Sequence, residues 1–285
     1  MARKRANLTD LLNDLTYKTT FDKWKMIAMN LFEWSGLPEG IEERHIERHL
    51  FDYGKCLFFK DARMSFMALE AQAGTGVNVY GDPLEYRAIG YNYNKKYKAD
   101  NCVLIENNKM RKPTRDYIYF YANKITEAER TMDVNVKANK TPVVFACDDA
   151  SLFTYKQVFN QVDGNVPAIW LDKKLDLNSI GVFDTKVKFL CNDLMDYKKS
   201  VENELLTFLG VNNTPHEKKE RLITDEAQSN NQLIQNFCDL QLEARQRACE
   251  AINKLYGLSV SVEKRQTYEQ IVDNSVDNLD GGDGE

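Results

Sequence analysis

The residues best suited to chemistry in this sequence are charged, and most of them crowd into one stretch. Between Gly210 and Asn231, GVNNTPHEKKERLITDEAQSNN, the cations Lys218, Lys219 and Arg221 alternate with Glu217, Glu220, Asp225 and Glu226. The cations suit contact with phosphate, each as a weak, screened charge. Paired carboxylates suit metal-assisted cleavage of nucleic acid, but that chemistry needs a rigid set of ligands. Interleaved with Lys and Arg in a polar connection, they read better as a solvated loop.

The other candidates are thinner. His45 and His49 stand one helical turn apart, yet Ile46, Glu47 and Arg48 between them lack the HExxH order of a zinc protease, so no metal site is expected. With three histidines in all, a histidine base or triad is left without support. Gly74-Thr75-Gly76 has no Walker lysine and reads as a turn. Tyr91, Tyr93 and Tyr97, interleaved with Lys95, Lys96 and Lys98, have the composition of a single-strand stacking platform, but a polar loop with tyrosines packed at its base is the plainer reading. Arg3, Lys4 and Arg5 form a basic arm, either solubilising or directed at a nucleic-acid or acidic partner. No catalytic residue, metal or cofactor is expected.

The elements that must position the charged loop are two helices. Leu190, Leu194, Tyr197, Val201, Leu205 and Phe208 fall at helical spacing and stop at Gly210; Leu233, Phe237, Leu240, Ala244, Ala248, Ala251 and Leu255 start a second stripe that stops at Gly257. Upstream, Phe21, Trp24, Ala28 and Leu31 predict a first helix closed by Gly36 and Pro38, and a second helix follows from about Ile41 to Phe51. Short apolar runs from Cys56 to Ile105, broken by Gly, Pro and Asn, read as strands of a small sheet. Pro113 opens a helix reaching nearly to Lys140. Apolar runs at Pro142–Cys147, Val166–Leu171 and Ile180–Phe183, with a short helix at Ser151–Val162, predict a compact α/β insert before a helix at Thr185–Leu209. Leu258–Val262 reads as a strand, and the acidic tail Asp277–Glu285 as disordered.

Composition bounds the rest. A chain of 285 residues, 43% hydrophobic and 11% aromatic, has ample material for a core. The net charge of −5 argues against a general nucleic-acid coat, so any such contact is local. No apolar run is long enough for a membrane span and no signal peptide is read, which predicts a protein made in the cytosol. The six cysteines are scattered without a CxxC pair and read as reduced, mostly buried thiols.

A specific resemblance rests on the start MARKR, Leu31-Phe32-Glu33-Trp34 with Leu37-Pro38, Phe59-Lys60-Asp61, Lys140-Thr141-Pro142-Val143, and Lys156-Gln157-Val158-Phe159-Asn160-Gln161. It continues through Gly164-Asn165-Val166-Pro167, Thr207-Phe208-Leu209-Gly210, Glu217-Lys218-Lys219-Glu220-Arg221 with Thr224-Asp225-Glu226, and Ala248-Cys249-Glu250 to Leu255-Tyr256-Gly257-Leu258. In this order they resemble the portal protein, also called head–tail connector or upper collar, of small short-tailed phages with protein-primed linear genomes (Picovirinae/Salasmaviridae type). The resemblance implies an α+β, helix-dominated portal fold and a dodecameric ring with an axial channel. It divides the chain into a basic arm (1–15), wing (16–112), first stem helix (113–139), clip (140–184), second stem helix (185–209), channel loop (210–231), a wing or crown helix and strand (232–262) and an acidic tail (263–285). It places Lys218 and Lys219 on the family's channel-loop lysines. Other channel lysines of the family fall here on Asp184 and Asp193, with Lys186 and Lys188 nearby as possible substitutes.

The implied function is a non-enzymatic portal at one capsid vertex, serving packaging and ejection of double-stranded DNA, with a loop that retains DNA. Implied partners are further copies of the chain, DNA in the channel, a packaging ATPase, in part of the family a packaging RNA, the major capsid and scaffolding proteins and the lower collar or tail protein. No membrane is implied, and the protein would be found in the virion after assembly in host cytoplasm. The rivals are a capsid or scaffolding protein without a channel and a nucleic-acid-processing enzyme.

Overall fold

The computed structural model describes residues 8–139, 143–145, 180–182, 188–212 and 224–265. The chain divides into two compact units, residues 1–126 with 198–285, and residues 127–197.

The first unit is built around strand β2 (Lys55–Asp61), the centre of a five-stranded antiparallel sheet. Its neighbours are β3 (Ser65–Ala73) and β6 (Cys102–Glu106), with β4 (Glu85–Gly90) and β5 (Tyr93–Lys98) beyond β3, in the order β5-β4-β3-β2-β6. Cys56, Leu57, Phe58 and Phe59 are all fully buried, because successive side chains of a strand point to opposite faces and both faces here are covered. Cys56 and Phe58 pack with Ile46 and Leu50 of α2 (Glu43–Tyr53) and with Cys249 and Ile252 of α5 (Thr224–Tyr256). Leu57 and Phe59 pack on the other face with Ala71, Tyr86 and Ala88. The sheet coils: Tyr93 and Tyr97 of β5 lie against Phe59, ring centroids 5.8 and 4.3 Å away, although β3 and β4 separate the two strands in the hydrogen-bonded order. A third cluster joins Trp24 and Ala28 of α1 (Leu8–Met29), Ile118 and Ile125 of α3 (Thr114–Asn139), and Val201, Leu205 and Leu209 of α4 (Cys191–Leu209).

A two-stranded ribbon closes this unit. β1 (Phe32–Ser35) pairs antiparallel with β9 (Ser261–Lys264), Trp34 opposite Val262. Phe32 and Trp34 are buried while Glu33 and Ser35 are exposed, the alternation of a strand with one packed face. The second unit holds the last part of α3, the first part of α4 and the ribbon of β7 (Val143–Phe145) with β8 (Ile180–Val182). There the buried Asn135 donates Nδ2–H to the carbonyl of Lys188 and accepts from the N–H of Leu190, both at 2.9 Å, which sets where α4 starts.

Several boundaries differ from the sequence reading. α1 starts at Leu8, inside the stretch assigned to the basic arm, and ends at Met29; Phe32–Ser35, expected between a helix and its stop, is a strand whose partner stands at the far end of the chain. α4 starts at Cys191 rather than Thr185, since the Asn135 amide holds residues 188–190 outside the helix. α5 starts at Thr224, so eight residues assigned to the channel loop, Thr224–Asn231, are helical. Glu263 and Lys264, assigned to the tail, belong to β9. The expected helix at Ser151–Val162, the run at Val166–Leu171 and the tail beyond Arg265 lie outside the described residues.

Candidate nucleic-acid interface and its frame

The cationic stretch follows α4, which ends at a fixed point. Gly210 ends α4 at a φ of 73°, the left-handed region open to glycine, and a Cβ there would stand 2.8 Å from Cα of Cys238. No side chain fits, so α4 meets α5 backbone to backbone. Lys264 Nζ donates to the Gly210 carbonyl at 3.0 Å and the Val211 N–H donates to Leu206 O at 2.9 Å, so β9 and the last turn of α4 both hold the exit. Lys218, Lys219 and Arg221 lie outside the described residues, as do Arg3, Lys4, Arg5 and Lys186. Lys188 is described and exposed.

The returning helix α5 is locked more firmly. Arg245 is buried, and its guanidinium spends its donors on three elements: Nε and Nη2 on the two Glu47 oxygens at 2.9 and 2.7 Å, Nη2 also on Asn107 Oδ1 at 3.0 Å, and Nη1 on the carbonyls of Gln241 and Asn107 at 3.1 and 3.3 Å. Its carbon centre lies 4.2 Å over the Phe32 ring. Glu47 accepts in addition from Trp34 Nε1 at 2.9 Å. The pair is 2% and 3% exposed, and its bidentate geometry with every remaining oxygen supplied is what lets such a pair survive desolvation. One arginine thus fixes α5 against α2, β1 and the turn after β6. The sequence reading passed over it, although a lone arginine beside Ala244 on the apolar stripe is the signal that could have marked it.

The minor candidates resolve as structural features. His45 accepts the N–H of Glu42 at its Nδ1, one half of a capping box at the start of α2. His49 is buried with an unpartnered Nδ1, and burial pulls its pKa down to about 4. Among the described residues no group of three or more His, Cys, Asp or Glu is placed to hold a metal. Gly74 donates to the Glu85 carbonyl and the Gly76 carbonyl accepts from Leu84 N–H, so Gly74-Thr75-Gly76, expected as a turn, instead prolongs the β3–β4 pairing, and the turn itself comes later, at Val79–Tyr80. Tyr93 and Tyr97 are not a stacking platform: their hydroxyls donate to Asp61 at 2.8 and 3.0 Å, and Tyr91 alone of the three points into solvent. The five described cysteines are free thiols; burial pushes Cys249 up to about 12 and Cys102 up to about 11, which keeps both in the thiol form near neutral pH.

These helices and the coiled sheet form a helix-dominated α+β fold of the portal type. A chain in the solved structure of the portal and tail of native bacteriophage P68 is similar over 99% of this chain and 100% of that one, with 15% identity and a TM-score of 0.50. One from the virion of a native gene transfer agent particle is similar over 95% of this chain and 89% of that one, with 10% identity and a TM-score of 0.50. The Phage Connector (GP10) family matches residues 3–269, and the chain belongs to that family.

Proposed function

We propose that the chain is the subunit of a non-enzymatic portal ring at one capsid vertex, through which double-stranded DNA enters during packaging and leaves on infection. The family match over residues 3–269 carries the reading. The ring and the finer assignment, to short-tailed phages with protein-primed linear genomes, are supported by the sequence resemblance. The partners would be other copies of the chain, a packaging ATPase, capsid and scaffolding proteins and a lower collar or tail protein, with Arg3, Lys4 and Arg5 meeting a nucleic-acid or acidic partner.

An acidic chain suits a channel, because a wall of like charge to the phosphates does not adhere to them. Repeated around a ring, Lys218, Lys219 and Arg221 would form a cationic collar, with Glu217 and Glu220 limiting its attraction. The collar would retain DNA rather than move it; Lys186 and Lys188 are further candidates for the wall. The fixed exit at Gly210 and the locked helix α5 support a loop that is replaceable without loss of its frame.

The test is a deletion confined to residues 214–222, which leaves α5 whole. Rings seen in negative stain with DNA lost from filled heads would support the collar; normal retention of packaged DNA would refute it. Purified wild-type protein that forms no ring would refute the portal reading itself.

A further inference from the structure

A cavity of about 190 Å³ opens in the first unit, walled by Met110, Tyr117, Phe208, Phe237 and Leu240 with Gln241 at its polar side. It is too small for a cofactor-sized ligand, but a cavity of about 150 Å³ holds a benzene ring. One aromatic side chain fits it.

The chain itself supplies such a side chain a few residues beyond β9. β9 ends at Lys264, whose Nζ binds the Gly210 carbonyl, and Gly210 lies against Cys238, so the end of β9 stands beside the α4–α5 junction that contributes Phe208 and Phe237 to the cavity wall. The sequence then runs QTYEQIV, with Tyr268, Ile271 and Val272 at helical spacing. Three residues from Arg265 span at most roughly 10 Å of backbone, so Tyr268 stays close to the end of β9. Charge agrees. Beyond Arg265 the chain carries Glu269, Asp273, Asp277, Asp280, Asp283 and Glu285 and no cation, and Lys109 lines the cavity in an exposed ion pair with Glu243 at 3.4 Å that a second carboxylate can compete for. Glu269 follows Tyr268 directly.

We infer that the segment Tyr268–Val272 docks on its own subunit, Tyr268 entering this cavity and Glu269 meeting Lys109. The docked segment would cover Leu240 and Met110, 45% and 69% exposed without it, and tie the C-terminal segment to the helices that hold the channel loop. The inference does not depend on the portal reading.

Full-length protein carrying Met110→Cys with Thr267→Cys tests it by disulfide formation under mild oxidation, mapped by peptide mass spectrometry. The expected result is cross-linking within one chain at least tenfold faster than for Met110→Cys with Asn278→Cys. The tether alone favours the nearer position only weakly, so the deciding variants are at Tyr268. Adding Tyr268→Ala should bring the rate down to that of the comparator, and Tyr268→Phe should keep it. Equal rates for the two pairs, no effect of Tyr268→Ala, or disulfides that join two chains only would each overturn it.

Discussion

Two carboxylates of the first unit, Glu47 and Asp61, each hold a cation from a distant part of the chain, and they do so in opposite ways. Glu47 meets Arg245 where both side chains are 3% exposed or less. Asp61 is as buried as Glu47, but its cation Lys95, at 2.6 Å, is half in water. Asp61 does not rely on that lysine: it also accepts from the backbone N–H groups of Arg63 and Met64 and from the hydroxyls of Tyr93 and Tyr97. Arg245 has no such alternative, because its partners are the two Glu47 oxygens, Asn107 and the Gln241 carbonyl, all enclosed. The two bonds matter in different places. The first pair locks α5; the second staples the turn between β2 and β3 to the far strand of the coiled sheet.

Breaking the first pair should have the largest effect. Removing one partner strands a buried charge, which costs about 3–5 kcal/mol. Arg245→Ala is therefore expected to lower the urea midpoint sharply, and Glu47→Ala to do so comparably while also orphaning Trp34 Nε1. The double change Arg245→Met with Glu47→Leu should recover part of the loss, since no charge remains to be stranded. A midpoint for Arg245→Ala within experimental error of the parent would dissolve the contrast with Asp61.

A smaller effect comes from a group on the same helix as Glu47. His49 is held neutral in the fold, its pKa lowered to about 4 chiefly by burial and next by Arg48, with Glu70 and Asp52 opposing. The unfolded chain titrates near 6.5, so between these values it binds more protons than the folded one. The stabilisation is complete above pH about 6.5 and drains as pH falls toward 4, a loss on the order of 2–3 kcal/mol. Unfolding midpoints from pH 7.5 to 4 should show that slope in the parent and a flatter one in His49→Phe. Identical slopes would mean that His49 reaches water in the folded state.

How much of this was legible beforehand depended on distance along the chain. The apolar run Cys56-Leu57-Phe58-Phe59, the stops at Gly210 and Gly257 and the stripe of α3 are local patterns, and each became the element expected. The β1–β9 ribbon was half visible: Leu258–Val262 reads as a strand, but the partner that makes Phe32–Ser35 a strand stands at the far end of the chain. Thr224–Asn231 lacks an apolar stripe and reads as loop, yet it continues the 33-residue helix α5. The start of α4 is likewise invisible locally, because Asn135, more than fifty residues earlier, sets it. Lys218, Lys219 and Arg221 stand out in the sequence by charge density but lie outside the described residues, while the lock at Arg245 depends on Glu47, 198 residues away.

The smallest expected effect probes the second pair directly. Lys95→Ala removes a half-exposed ammonium and leaves Asp61 with four donors, so its cost should stay at or below the ~1 kcal/mol typical of exposed pairs. It should also shrink further in 0.5 M salt, whereas the Arg245→Ala loss, being enclosed, should hardly respond. The pH arm sharpens this. The hydrogen bond from Lys95, then the Arg63 N–H and the Tyr93 hydroxyl, hold the Asp61 carboxyl well below the ordinary carboxylate range, against the opposing push of burial. A depressed folded pKa means stability that is present above the unfolded value near ~3.9 and lost as pH falls through the folded one. Lys95→Ala should therefore reduce the acid-side slope below pH about 4, and Asp61→Asn should abolish that part of it, while neither changes the slope that His49 imposes between pH 6.5 and 4. If Lys95→Ala destabilised as much as Arg245→Ala, or resisted salt equally, the lysine would be acting as an enclosed charge and the distinction between the two regions would fail.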